Sequence, residues 1–311
     1  MVKKEIVECR KHIPITTCVE YGGLKSVQFI SRRLSLNVIT LAVVIGILFN
    51  SCTEKIDIDL GTTYTRLAVS GNITPQLGNQ YICLTKSADY FSNQPPPIVT
   101  GAAVTVNDGS FSVQFIEDTN NIGYYFAPSN YIGVPGTTYD LSIKLAQPIN
   151  GTVDYSANET MPILADNIDS IVVELNEKAS RWMVRLYAWE PPTTDFYMFN
   201  GMKNGTIITD SVSRVNISDD RLYNGNYTAG AVVLMLNEDE LQPGDTFTLV
   251  LSNVTEEYAS FMLELQDEIR PNDPMFSGPP ANVSSNVNND AVGYFAAYPS
   301  AFTSTVVKNY E

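Results

Sequence analysis

The sequence predicts a mainly β protein made of two β-sandwich domains of the immunoglobulin or fibronectin type. Short runs rich in β-branched and aromatic residues recur from Leu67 onward, and turn residues separate them at fairly even intervals. A polar, turn-rich segment at residues 150–167 divides these runs into two series. We therefore place one sandwich at residues 64–162 and another, containing an amphipathic helix, at residues 163–311.

The first series contains the clearest hairpin signal. Alternating apolar residues flank Asn107-Asp108-Gly109, a sequence that suits a tight turn whose residues need positive φ. Pro95-Pro96-Pro97 cannot lie in a central strand and predicts a stiff loop or an edge segment. The strands expected in this series are Leu67–Ile73, Tyr81–Lys86, Ala102–Val106, Phe111–Phe115 and Tyr139–Leu145.

The second series has its own hairpin signal, Lys203-Asn204-Gly205. Its expected strands are Ile168–Leu175, Arg181–Trp189, Phe196–Met202, Thr206–Val212, Ala231–Leu236, Phe247–Asn253, Val292–Tyr298 and Thr303–Val307. Between them, residues 256–270 place apolar side chains at helical spacing, with Thr255 as the N-cap and Pro271 after the end.

Residues 1–51 are predicted to be a signal peptide behind an over-extended N-terminus. Leu36–Phe49 is an apolar run of 14 residues, shorter than the about 20 that span a bilayer but typical of a signal-peptide core. The following Ser51-Cys52 resembles a lipobox, in which the cysteine is diacylated. We expect Cys52 to anchor the chain to a lipid bilayer, with residues 52–63 as a tether. The alternative is an uncleaved helix with an incidental cysteine.

Cleavage before Cys52 would restrict the available chemistry. It removes His12, the only histidine, together with Cys9 and Cys18. The remaining chain then lacks the histidine that Ser-His-Asp catalysis, Cys-His catalysis and histidine metal sites require. Cys83 is left without a partner for an internal disulfide, and its strand-like surroundings favour a buried, inert thiol.

The predicted mature chain is strongly acidic. The sequence has 19 basic and 34 acidic residues, and residues 1–51 hold seven and three of these, which leaves a net charge of −19. Such a field repels phosphate backbones, so we expect no nucleic-acid partner. We interpret the acidity as a means of solubility and predict no metal and no cofactor. Asn237–Glu240 and Glu117–Asn121 are acidic loops, but neither matches the twelve-residue calcium loop.

Aromatic residues are the candidates for ligand binding, because exposed rings form platforms for sugars or partner proteins. The alternative is that they form ordinary core and rim. The candidates are Tyr90, Phe91, Tyr124 and Tyr125. Two Asp-Ser-aliphatic triplets resemble the acceptor of Bacteroidetes O-glycosylation, which makes Ser170 and Ser211 candidate glycosylation sites.

Several motifs taken together resemble one family. They are Ser51-Cys52 with an acidic tether, Gly136-Thr-Thr-Tyr139, Thr160-Met161-Pro162, Ile168-Asp169-Ser170-Ile171, Pro243-Gly244-Asp245 and Pro279-Pro280-Ala-Asn282. The set resembles an uncharacterised group of Bacteroidetes outer-membrane lipoproteins, domain of unknown function 4249. Members tend to be encoded beside TonB-dependent receptors. The resemblance implies a lipid-anchored outer-membrane protein at the cell surface, and it supplies no catalytic residues.

Three functional hypotheses follow. The first is a non-enzymatic accessory to a TonB-dependent transporter that helps capture or gate its ligand. The second is a glycan-binding or adhesion module, which requires a line of exposed aromatic side chains. The third is a carboxylate-based hydrolase, which requires two acids roughly 5–10 Å apart in a cleft.

Overall fold

The computed structural model describes residues 64–78, 80–88, 94–164, 168–270 and 283–308. In this part the chain is mainly β with one α-helix, as predicted. The predicted leader and tether lie outside the described residues. The elements are β1 Leu67–Ile73, β2 Tyr81–Lys86, β3 Ala103–Asn107, β4 Ser112–Glu117, β5 Tyr124–Phe126, β6 Thr138–Ile149, β7 Thr152–Thr160, β8 Ile168–Asn176, β9 Arg181–Ala188, β10 Phe196–Lys203, β11 Thr206–Ile207, β12 Asn216–Asp219, β13 Ala231–Asn237, β14 Thr246–Val254, α1 Glu256–Ile269, β15 Val292–Ala297 and β16 Ser300–Val306.

The first sheet has eight strands in the order β15-β1-β2-β5-β4-β3-β6-β7. Its edge strand β15 comes from the C-terminal part of the chain and pairs in parallel with β1, with Ala68 opposite Val292. The other edge, β7, approaches the segment before β15, where the Ser156 amide donates to Asn288 Oδ1 at 2.7 Å and the Asn288 amide donates to the Ser156 carbonyl at 2.9 Å. These contacts make the sheet nearly closed and barrel-like.

The interior of this sheet is the first hydrophobic core. Strand alternation sends Leu67, Val69, Ile82 and Leu84 inward, and all four are buried. Phe295 of β15 packs in the same core. Since burial of each such side chain contributes about 1.5–3 kcal/mol, the core gives the sheet a defined inner face. The alternate side chains of the same strands therefore point to the outer face of the sheet.

The second core lies between a three-stranded sheet, β13-β9-β8, and a five-stranded sheet in which β10 and β14 are central. The strand predicted at Arg181–Trp189 forms as β9, and Trp182, Val184, Leu186 and Ala188 on its inner face are all buried. The Trp182 indole donates to the Glu238 carbonyl at 3.0 Å, which satisfies its polar end. The finer prediction of two sandwich domains stays a prediction.

Both predicted hairpins form. Gly109, between β3 and β4, has φ of 85°, and Asn204 and Gly205, between β10 and β11, have φ of 48° and 83°. These positive values explain why the sequence places glycine and asparagine there.

Other local predictions were wrong. Thr152–Thr160, in the segment interpreted as the domain boundary, is strand β7, in which exposed polar residues alternate with the buried Tyr155, Ala157 and Glu159. The predicted strand Thr206–Val212 contains only the two residues of β11. Strands β5 and β12 were not predicted.

Helix α1 begins and ends close to the predicted residues. The Thr255 hydroxyl accepts from the Tyr258 amide at 3.3 Å, and Glu256 and Glu257 lie in the first turn, where the helix dipole favours negative charge. The buried residues Phe261 and Met262 face Tyr294 and Ala296 of β15. The helix therefore packs against the face of the first sheet that does not point into its core.

Candidate ligand-binding site

The outer face of β15, β1 and β2 forms one wall of a cavity of about 690 Å³. Because side chains alternate along a strand, Ser70 and Asn72 of β1 face this cavity, as do Tyr81 and Cys83 of β2. The opposite wall comes from α1, β10 and the residues after β11. We call this space the tyrosine cavity, after Tyr81, Tyr258, Tyr294 and Tyr298, which line it.

Packed aromatic rings form one side of the tyrosine cavity. Tyr258 of α1 is central, with ring centroids 5.1 Å from Tyr294, 5.9 Å from Tyr298 and 6.0 Å from Phe261. The Phe261 and Tyr294 rings are 5.0 Å apart. Burial raises the pKa of Tyr258 well above its ordinary value. The phenol therefore stays protonated to a higher pH than a free tyrosine does.

The position of α1 along the cavity is fixed by its hydrogen bonds. The Gln266 side-chain amide donates to the Val212 carbonyl at 2.8 Å and to the Val215 carbonyl at 2.7 Å. Both carbonyls belong to the segment after β11 that closes the opposite rim, and both valines line the cavity. One side chain thus joins α1 to this segment within the same wall of the cavity.

A polar corner lies on that opposite rim. The buried Thr209 hydroxyl donates to Asn200 Oδ1 at 2.9 Å and accepts from the Gly201 amide at 2.9 Å, which orients the Asn200 side chain. Asp210 follows directly and is the one charged side chain among the described residues that line the cavity. With no lining cation in this part of the chain, the cavity suits uncharged or positively charged ligands that present apolar or aromatic surface.

A glycine allows the first wall to form. Gly293 of β15 has φ of 92°, and a Cβ atom built on it would lie 2.0 Å from the Val69 carbonyl oxygen. Only glycine permits β15 to approach β1 this closely with that backbone conformation. The next residue, Tyr294, is thereby placed in the aromatic side of the cavity.

The structure separates the two candidate aromatic residues of β5. Tyr124 is 40% exposed and lies beside Tyr81, with ring centroids 5.8 Å apart, so it continues the aromatic surface outward from the cavity. Tyr125 is 1% exposed and belongs to the first core, where its hydroxyl accepts from the Ala102 amide at 3.0 Å. Tyr125 is therefore closed to a ligand from solvent. Tyr90, Phe91 and Cys52 lie outside the described residues.

The two candidate glycosylation residues have different surroundings. Ser170 is exposed on β8, and Ser211 is exposed at the rim of the tyrosine cavity, with its hydroxyl 3.3 Å from that of Ser213. Both hydroxyls are on the surface, and their modification stays a prediction.

The two acidic loops compared with a calcium loop, Asn237–Glu240 and Glu117–Asn121, use their glutamates in local hydrogen bonds and an ion pair. Glu117 accepts from the Gly101 amide at 2.8 Å and from the Gly123 amide at 3.1 Å, and Glu240 accepts from the Asn237 amide and pairs with Arg214. Within the described ranges, no three or more His, Cys, Asp and Glu side chains form a group that could hold a metal ion.

A second cavity, of about 670 Å³, lies at the N-terminal end of α1. We call it the glutamate cavity, because it is lined by Glu159, Glu256, Glu257 and Glu264. Glu159 is 6% exposed, and burial raises the pKa of its carboxyl, while hydrogen bonds from Thr255 and Tyr294 act in the opposite direction. Tyr294 lines both cavities. The hydrolase hypothesis would rest on Glu159 and a neighbouring glutamate here.

Three aromatic residues lie together at the end of β9; Trp189 is exposed, and Tyr187 and Tyr227 are half-buried. Trp189 is 59% exposed, and its ring centroid is 5.2 Å from that of Tyr227, which is 6.5 Å from that of Tyr187. We call these three residues the aromatic patch. Sequence reasoning missed it because Tyr227 joins Trp189 only through a long-range bridge.

No helix among the described residues combines the length and the apolar character needed to cross a bilayer.

Comparison with known proteins gives the family but no activity. No curated protein matches the sequence. Among solved structures, a chain of a "Cytokine receptor complex - Crystal form 1A" is similar over 78% of this chain and 97% of its own, with 7% identity and a TM-score of 0.21, which is too low to carry an argument. The sequence profile of the family described as Domain of unknown function (DUF4249) matches residues 53–303, and the chain belongs to that family.

Proposed function

We propose that this protein is a lipid-anchored outer-membrane protein that binds a small ligand in the tyrosine cavity. It acts without catalysis of its own, as an accessory to a TonB-dependent transporter in ligand capture or gating. The observation that carries the proposal is a cavity of about 690 Å³ with an aromatic side and one polar corner. Ligand sites in proteins are typically concave, mostly apolar and provided with a few fixed polar groups.

The cavity also limits the ligand. Tyr258 and Phe261 offer ring surface for an apolar or planar group, and Asn200 offers an amide in a fixed orientation. Among the described residues that line the cavity, Asp210 carries the one charged side chain, and its charge is negative. A neutral or cationic ligand is therefore favoured over an anion. The anchoring part of the proposal rests on the lipobox-like Ser51-Cys52, and the partner rests on the resemblance of the motifs.

Dye binding tests the cavity. Nile red, an uncharged apolar probe, should bind the full chain with a fluorescence increase, and Ser70→Trp, which fills the space in front of β1, should weaken that binding at least tenfold. Ser142→Trp is the matched control, because Ser142 is exposed on β6 of the same sheet and does not line the cavity. Equal dye binding by both variants would place the ligand site elsewhere.

Purification from outer membranes tests the anchor and the partner separately. A tagged full chain should fractionate with the outer membrane and co-purify a TonB-dependent receptor, whereas Cys52→Ser should leave the membrane fraction. If the chain is membrane-bound and no such receptor co-purifies, the proposed partner is rejected and the proposed lipid anchor is retained.

The second candidate function, glycan binding or adhesion, is favoured by the aromatic patch. Aromatic rings at a surface stack on sugar faces, and the exposed Trp189 lies beside the half-buried Tyr227. A glycan array with the full chain and Trp189→Ala decides this point. Binding that Trp189→Ala abolishes and Ser70→Trp leaves unchanged would support the second function over the first.

A further inference from the structure

The polar corner of the tyrosine cavity contains a side-chain amide that belongs to a strand. Asn200 lies on β10, and alternation places it on the same face as Met198, which also lines the cavity. Tyr197 and Phe199, between and before them, point the other way and belong to the second core. Asn200 is half-buried, so its amide is presented to the cavity from a packed strand rather than from a free loop.

The Thr209 hydroxyl decides which end of this amide faces a ligand. Its oxygen accepts from the Gly201 amide at 2.9 Å, and its proton is donated to Asn200 Oδ1 at 2.9 Å. Thr209 is fully buried. If the Asn200 amide were turned over, its NH₂ group would face the hydroxyl oxygen, and the buried hydroxyl proton would have no acceptor, which is costly. Oδ1 therefore points to Thr209, and Nδ2 points away from it.

The Asn200 Nδ2 group is a hydrogen-bond donor that the protein itself does not use. In the described part of the chain no atom accepts from it, and it is not one of the buried atoms that lack a partner, so it stays accessible. The neighbouring groups cannot replace it. Thr209 donates its proton to Asn200, and the Asp210 carboxylate only accepts. Asn200 is thus the oriented side-chain donor of this corner.

We propose that Asn200 determines ligand specificity in the tyrosine cavity, by selecting ligands whose apolar or planar body carries a carbonyl-type acceptor oxygen. This inference rests on the proposed function, since it requires a ligand in this cavity. The body of the ligand packs against the rings of Tyr258 and Phe261, and its oxygen accepts from Asn200 Nδ2. An analogue without that oxygen is rejected, because the donor loses water and gains no partner. Thr209 is the positioning residue for Asn200.

Two uncharged fluorescent probes test the proposal. Nile red carries a carbonyl oxygen on a planar body, whereas diphenylhexatriene is a hydrocarbon without any hydrogen-bonding group. We compare the ratio of the two affinities for the full chain, held below the critical micelle concentration of its detergent so that neither probe enters micelles. Asn200→Asp keeps an oxygen for Thr209 but removes the NH₂ donor. It should lower the ratio of Nile red affinity to diphenylhexatriene affinity by about threefold to tenfold, the effect of one hydrogen bond. Asn200→Leu, which adds no charge, should lower it as well.

Three further variants separate position from charge and from structure. Gln147→Glu makes the same exchange of an amide for a carboxylate at an exposed position on β6 outside the cavity, and it should leave the ratio unchanged. Thr209→Val removes the hydroxyl that orients the amide and should lower the ratio, whereas Thr209→Ser keeps a hydroxyl and should preserve it. If Thr209 had only a structural role, Thr209→Val would weaken both probes alike.

Two results would overturn this inference while the proposed function stands. In the first, the unchanged chain binds both probes, Ser70→Trp blocks both, and Asn200→Asp leaves the ratio of affinities as it was. In the second, Asn200→Asp weakens both probes equally, which would mean that Asn200 only shapes the cavity. If neither probe binds the unchanged chain, the proposed function and this inference fail together.

Discussion

Tyr258→Leu should destabilise the protein through its rings rather than through lost apolar area. Leucine keeps an apolar side chain on α1 but removes three ring contacts, those with Phe261, Tyr294 and Tyr298. An aromatic pair contributes about 0.5–1.5 kcal/mol beyond its buried area, so the three together predict a loss of about 2–4 kcal/mol. At about 2–4 °C per kcal/mol for a chain of this size, the melting temperature should fall by roughly 5–15 °C.

Thermal unfolding followed by circular dichroism measures this loss, and two variants control it. Tyr258→Phe keeps all three ring contacts and should stay within about 0.5 kcal/mol of the unchanged chain. Tyr124→Leu removes ring contacts on a 40% exposed residue and should cost less than Tyr258→Leu. A loss below about 0.5 kcal/mol for Tyr258→Leu would refute the reasoning, because the aromatic side of the cavity would then not be a packed unit.

Three further outcomes follow from the geometry. Gly293→Ala should destabilise the chain by more than about 2 kcal/mol in urea unfolding, because its Cβ would meet the Val69 carbonyl and its φ is positive; a neutral result would contradict the close pairing of β1 and β15. Glu159→Gln should flatten the dependence of the free energy of unfolding on pH. The pKa of the Glu159 carboxyl is raised in the folded state, so the stability that it contributes below its ordinary pKa of 4.5 is lost as the pH rises. If the free energy of unfolding of the variant changes with pH as that of the unchanged chain does, this carboxyl has no such role. The Cys83 thiol should react more slowly with iodoacetamide at pH 8 than a free cysteine, since burial raises its pKa, and site-resolved mass spectrometry will show whether it does.

Local patterns in the sequence predict local structure well. The hairpin at Asn107-Asp108-Gly109, strand β9 and the limits of α1 each depend on residues within one turn or one strand of each other. Strand β7 was missed for a physical reason: a strand whose outer face is wholly polar differs little in composition from a loop, and its pairing with β6 supplies what its sequence does not show.

The candidate site depends on long-range pairing, which local patterns do not contain. Tyr258 belongs to a helix whose apolar spacing is visible in the sequence, yet its neighbours Tyr294 and Tyr81 come from β15 and β2, far away along the chain. Alternation along a strand already indicates that only one of Tyr124 and Tyr125 can face solvent, because adjacent strand residues face opposite sides. Which of the two faces is buried is decided only when β5 pairs with β2.

The C-terminal strands connect these observations. Strand β15 completes the first sheet beside β1, and only two residues later β16 begins and pairs with β14 in the other sheet. The chain thus passes directly from the wall that carries Tyr294 to the sheet in which β10 carries Asn200. The connection from β15 to β16 joins the two walls of the tyrosine cavity. A change that weakens the β1–β15 pairing should therefore reduce both the free energy of unfolding and the affinity for Nile red. A substitution confined to the three-stranded sheet, such as Val184→Ala in the second core, should reduce stability and leave the affinity of the folded fraction for Nile red unchanged.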